Sequence, residues 1–223
     1  MTLSHSVVLL DLMLVGDPSY WTAKFRRLDV RFLERVLALW PRCLAALPPN
    51  PHEDTITISL VNIVSRDPEA RRLFHDLAFH HEPFGYTVEG WAYSKGEIDM
   101  ALLLDRERER YLAYECKRLN VTVNGRWRSN ATLYVEEGVA RFVSEKYAAD
   151  LPVGCMLGYV MDGNVTRARA KVQASITEHR EEIGLAWGPM DDEPLGTMGR
   201  FSSGHRRVSS SAPIEIRHAL LPF

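Results

Sequence analysis

The chain has 223 residues, 46% of them hydrophobic and 25% charged, a balance that suits one water-soluble domain with a continuous core. A formal net charge of −2 excludes any global pull toward polyanions, so a nucleic-acid partner would have to be held by a local patch. Cys43, Cys116 and Cys155 are widely spaced and no CxxC occurs, which argues against a disulfide framework or structural zinc and for a reducing, cytoplasmic setting.

The N-terminal MTLSHSVVLLDLMLVGDPSYW lacks a basic start and is broken by Asp11, so it reads as neither leader nor membrane span. From Asp29, Leu33, Val36, Leu37 and Trp40 recur at helical spacing, and Cys43, Leu44 and Leu47 continue that face beyond a Pro41 kink. Asn50, Pro51 and Glu53 then read as N-cap, first helical position and capping-box acid of a second helix. The stretch PEARRLFHDLAFHH after Asp67 predicts another helical piece. Strands are expected over 84–93, 97–104 and 111–117, followed by a helix over LYVEEGVARFVSEKYAA and a buried strand, VGCMLGYVMD, closed by an Asp-Gly turn. Asn164 caps a last helix. Beyond Trp187 the Gly, Pro and Ser content predicts a long loop, ending in an apolar IEIRHALLPF that docks on the body. The expectation is an α/β domain with a central mixed sheet, made of a helical region (1–48), a core (49–186) and a loop-rich tail (187–223).

The chemistry concentrates in GEIDMALLLDRERERYLAYECKRLN, residues 96–120. Two apolar runs flank an exposed turn, DRERER, and pairing about it sets Asp99 opposite Glu115 or Cys116. In the first register Asp99, Glu115 and Lys117 share one face, whereas Ile98, Met100, Leu102, Leu112, Tyr114 and Cys116 form an apolar one. Two carboxylates opposed across a strand pair repel, and desolvation raises the cost. Lys117 as their partner relieves it; so does a divalent cation between them. Mg²⁺ takes one or two carboxylates and keeps sites for water, so Asp99 and Glu115, with the backbone carbonyl of Cys116, could supply its protein ligands. Lys117 could then hold or deprotonate an attacking water. Of five lysines only Lys117 has an acid two places before it.

Asp99 followed by Glu115-Cys116-Lys117 on the next strand, with Glu53 on an upstream helix, resembles the PD-(D/E)xK nuclease superfamily. The phrases GEID and YECKRL carry the resemblance, which spans roughly Glu53 to Asp162; Ile98 stands where the namesake proline would. It implies a restriction-endonuclease-like core and a metal-dependent phosphodiesterase, with Asp99 and Glu115 as Mg²⁺ ligands (Mn²⁺ substituting), Lys117 as catalytic lysine and Glu53 as auxiliary acid. DNA is the favoured substrate over RNA, and a homodimer would suit double-strand cutting. A rival reading keeps the fold and drops the chemistry, leaving a binding or assembly subunit.

For nucleic-acid contact the sequence offers Arg118 and the loop NGRWRSN, where Arg126 and Arg128 flank Trp127. Cys116 falls on the apolar face and reads as an inert core thiol. The helix over 133–149 could bring Glu137 or Arg141 to the site, and spacing does not decide between them.

Overall fold

A computed structural model describes residues 18–146, 148–149 and 151–223; the N-terminal segment read above for a leader lies outside these. The apolar spacing of the first helix extends well upstream of Asp29, and α1 runs unbroken over Pro18–Ala46, through Pro41. It buries Trp21, Phe25, Phe32, Leu33, Val36, Trp40 and Cys43 along one side. α2 (Glu53–Val64) follows, but without the expected capping box. His52 is the N-cap and makes no side-chain bond, while Asn50 adopts a left-handed φ of 48°. Glu53 is thereby released from capping its own helix.

The alternating segment expected to be helical after Asp67 instead gives a short 3₁₀ turn, Ala70–Arg72, and strand β1 (Asp76–His81). Leu77 fits either periodicity; antiparallel pairing with β4 (Ile98–Leu103) decides it. Between them β2 (Phe84–Tyr86) and β3 (Ala92–Ser94) form a small separate hairpin where one strand was expected. β4 pairs with β5 (Tyr111–Leu119) in the register that matches Met100 with Tyr114 and Leu103 with Tyr111, the first of the two alternatives. β6 (Val121–Val123) and β7 (Arg126–Arg128) make a second hairpin beyond β5. Then come α3 (Ala131–Tyr134), a π-helical stretch (Val135–Val139), α4 (Ala140–Val143), the wholly buried β8 (Val153–Val160) and α5 (Val165–Glu178). Asn164 caps α5 as expected, accepting from Arg167 N at 3.0 Å.

Where a long loop was expected the chain forms two strands, β9 (Leu185–Asp191) and β10 (Gly199–Arg206), and the apolar segment expected to dock on the body does so as a third, β11 (Pro213–Pro222). Gly204 and Ser203, residue types common in loops, here serve the packing of a strand. A Cβ on Gly204 would lie 1.9 Å from Trp187 Nε1, so glycine is what lets that indole cover the strand. The main sheet has the order β1-β4-β5-β8-β11-β10-β9. β8 runs parallel to both β5 and β11, and the remaining pairs are antiparallel, so the sheet is mixed. α1 and α2 cover the face that carries Tyr114 and Tyr159; the helical segment over 131–143 and α5 cover the other.

Two buried polar systems tie the layers. Asp29 of α1 accepts from Tyr114 Oη at 2.7 Å and from Arg217 Nε at 2.7 Å, and Arg217 donates to Glu215, which Arg26 also holds. On the opposite face a chain of hydrogen bonds links His205, Ser203, His218 and Tyr134, all buried. The Ile183 carbonyl can only accept, so His205 Nδ1 carries its proton and Nε2 takes the Ser203 hydroxyl. Ser203 then accepts from His218 Nε2, and His218 Nδ1 from the Tyr134 hydroxyl.

Asp29→Ala would leave the Arg217 guanidinium buried beside fewer acids, and should cost about 3–5 kcal/mol of unfolding free energy in urea titrations. Burial pushes His205 from 6.5 down to about 4. Between those values the unfolded chain binds a proton that the folded chain refuses, so the stabilisation is complete above pH 6.5 and lost as pH falls to about 4. Urea midpoints should therefore drop across that window, by up to about 3 kcal/mol, and His205→Gln should flatten the slope.

Candidate active site

The β4–β5 ladder stops at Met100 and Tyr114. Past that point two consecutive N–H groups on the same edge of β5 need acceptors, and carboxylates provide them. Asp99 Oδ2 accepts from Cys116 N at 2.7 Å, and Glu53 Oε2 from Arg118 N at 2.8 Å. Asp99, second residue of β4, and Glu53, first residue of α2, thus meet at the mouth of a notch where the strands part.

Lys117 enters this notch from β5. Its ammonium donates to Glu115 Oε1 at 2.8 Å, Glu53 Oε1 at 3.1 Å and the Cys116 carbonyl at 2.9 Å, with Asp99 Oδ2 4.0 Å away. The four side chains singled out in the sequence, Glu53, Asp99, Glu115 and Lys117, therefore converge. Glu115 is fully buried and Glu53 is the most accessible of the acids, its side chain 27% exposed.

Arg141 of α4 completes the cluster, donating to Glu115 Oε1 at 2.5 Å. Helical spacing left its direction open because the π-helical stretch just before it resets the phase of the helix. Gly138, within that stretch, lets Met156 close in: a Cβ there would lie 2.3 Å from Met156 Cε and 3.7 Å from Glu115 Cγ. Glu137 stays exposed, and Glu97 turns to His80 at 3.3 Å.

Three acids share two cations here, and the electrostatics follow. Burial, then the Asp99 charge, pushes Glu115 up to about 7 despite the pull of Lys117 and Arg141. Burial also raises Asp99 and Glu53 above their ordinary range, against the opposing effect of Lys117. For Lys117 burial works downward, but Glu115, Glu53 and Asp99 outweigh it and hold the ammonium above its usual value. Lys117 therefore keeps its proton at neutral pH and donates to the oxygens around it.

Among the described residues no group of three or more His, Cys, Asp and Glu side chains stands ready to hold a metal ion. The notch offers instead two carboxylates and the Cys116 carbonyl, all oxygen donors, and a buried Glu115 Oε2 with no hydrogen-bond partner among the described residues. That set fits a hard cation such as Mg²⁺, which makes few protein bonds and retains water.

The expected nucleic-acid residues divide. The Arg118 guanidinium donates through Nη1 to the Pro51 carbonyl at 2.8 Å, tying β5 to the entry of α2. Arg126, Trp127 and Arg128 lie exposed on the β6–β7 hairpin, which prolongs β5 past the notch. Trp127 is steadied by Asp162, 3.3 Å from its Nε1, and by the Arg167 guanidinium 4.5 Å from its ring centre. Cys116 is buried against Tyr159 as a core thiol. Among the described residues no helix is long and apolar enough to cross a membrane. No protein-family model, curated protein or solved structure matches the chain.

Asp99→Ala would leave the Cys116 N–H without an acceptor and should lower unfolding free energy by about 1–3 kcal/mol in urea titrations. Asp99→Asn keeps a carbonyl oxygen there and should recover most of that loss. Equal stabilities for the two variants would contradict the structural role given to this carboxylate.

Proposed function

We propose that the protein is a Mg²⁺-dependent nuclease of the PD-(D/E)xK type with a restriction-endonuclease-like core, and that it hydrolyses phosphodiester bonds, DNA foremost. The observation that carries this is the convergence of Glu53, Asp99, Glu115 and Lys117 at a point where two strands part. An ion pair that served only the fold would need one acid for one lysine. Here three acids are gathered around Lys117, at a standing cost that Arg141 only partly offsets.

Asp99, Glu115 and the Cys116 carbonyl would hold the cation, whose chemistry is to polarise a phosphoryl oxygen and acidify a bound water. Water attacks phosphorus as the bond to the leaving oxygen breaks, and the leaving oxygen takes a proton from solvent. Lys117, as an ammonium, donates to the phosphoryl oxygens where negative charge develops. Glu53, raised in pKa and the most accessible acid, takes the proton of the attacking water. Arg126 and Arg128 offer phosphate contacts beside the notch, and Trp127 a stacking surface.

One observation favours the second reading, a binding subunit without catalysis. Lys117 holds Glu115 Oε1 and the Cys116 carbonyl, oxygens that a cation would otherwise claim. Calorimetric titration with Mg²⁺ separates the two: Asp99-dependent binding supports the nuclease, and its absence supports the subunit.

Cleavage should be assayed on plasmid, linear duplex, single-stranded DNA and RNA, with Mg²⁺ or EDTA. Lys117→Ala should cut at least about 10²-fold more slowly while retaining its circular dichroism spectrum. A Lys117→Ala protein as fast as its parent, or cutting that persists in EDTA, would overturn the assignment.

A further inference from the structure

A cleft of about 470 Å³ lies away from the notch, between α1, the turn at Arg72 and Leu73, and Leu104. Leu104 sits just past the end of β4 remote from Asp99, roughly 17 Å along the strand. Lys24, Arg27, Leu28 and Arg31 follow the i, i+3, i+4, i+7 spacing that places them on one side of α1. Four cations and no acid line the cleft, and Leu28, Leu73 and Leu104 form an apolar floor that packs on the core.

This arrangement is costly as it stands. Like charges three or four residues apart on a helix repel and destabilise it. Among the described residues none of Lys24, Arg27 and Arg31 has a carboxylate within 4.0 Å; only Arg72 is paired, with Glu69 at 3.1 Å. Trp21, at the head of the same helix side, draws Lys24 together with one further like charge, Arg110. Lys24 Nζ is 4.6 Å and the Arg110 guanidinium carbon 5.3 Å from its ring centre. Cations collected around an apolar floor in a volume of this size suit a ligand with an anionic end and a flat apolar body.

We propose that this cleft is a second ligand site, which takes a nucleotide with its phosphates on Lys24, Arg27, Arg31 and Arg72 and its base on the leucine floor. The nucleotide can be free or part of a strand; the recognition chemistry is the same. The site stands independently of the hydrolytic reading of the notch.

The test uses the full chain carrying Lys117→Ala, so that the notch does not consume the probe, and measures binding of ATP, inorganic triphosphate and a short single-stranded DNA oligomer. ATP or the oligomer should bind, ahead of inorganic triphosphate, and the double variant Arg27→Glu/Arg31→Glu should weaken that binding at least about tenfold. For the oligomer the double variant should also flatten the dependence on salt. Arg27→Lys/Arg31→Lys should retain most of the affinity, which separates loss of charge from loss of fold. Tighter binding of ATP would identify a free nucleotide as the occupant, and tighter binding of the oligomer a strand. Inorganic triphosphate binding as tightly as ATP would overturn the role of the leucine floor. No binding, or binding untouched by charge reversal, would overturn the site itself.

Discussion

The arrangement depends on two amide groups of one strand. Where β4 leaves β5, the N–H groups of Cys116 and Arg118 face outward with no strand to receive them. Asp99 and Glu53 answer that need, one from the departing strand and one from the first turn of α2. Once two carboxylates are fixed there by main-chain hydrogen bonds, the buried Glu115 side chain becomes a third acid in a confined space. Lys117 and Arg141 are the electrostatic answer to that crowding. Fold and electrostatics are thus the same fact: the gap in the ladder demands the acids, and the acids demand the cations.

The alternation of the hairpin was readable from sequence because period-two patterning forces a choice of face, and the apolar set Ile98, Met100, Leu102, Leu112, Tyr114 and Cys116 admits only one. With that face assigned, Asp99, Glu115 and Lys117 had to share the other. Glu53 was harder. In NPHE the local grammar of a helix start accounts for the acid completely, and only the long-range bond to Arg118 shows that a distant strand has claimed it. The α1 face was legible in its second half, from Leu33 onward, since large apolar residues mark it densely there.

What sequence could not give has physical causes. β1 and the C-terminal strands hold their conformation through partners far along the chain, and β propensity is largely a statement about such partners. Ser203 and Gly204 read as loop residues, yet one is the middle of a buried hydrogen-bond chain and the other lies beneath an indole. The cluster of Asp29, Arg217 and Glu215 was equally hidden, because its members are separated by most of the sequence and each alone looks like a surface charge. Charges that end in a core announce themselves only through the geometry that neutralises them.

The π-helical stretch over Val135–Val139 has an implication for how such a site can drift between related chains. Each residue added to or removed from a helix turns everything downstream by about 100°. The wide turn takes up one such residue, so a single-codon deletion here that restored ordinary winding would keep the Arg141 guanidinium on the Glu115 carboxylate, whereas the same deletion in an α-helical turn between them would swing it away. The stretch is therefore a tolerance built into the helix, the one place where its length can change by a residue without turning the cluster.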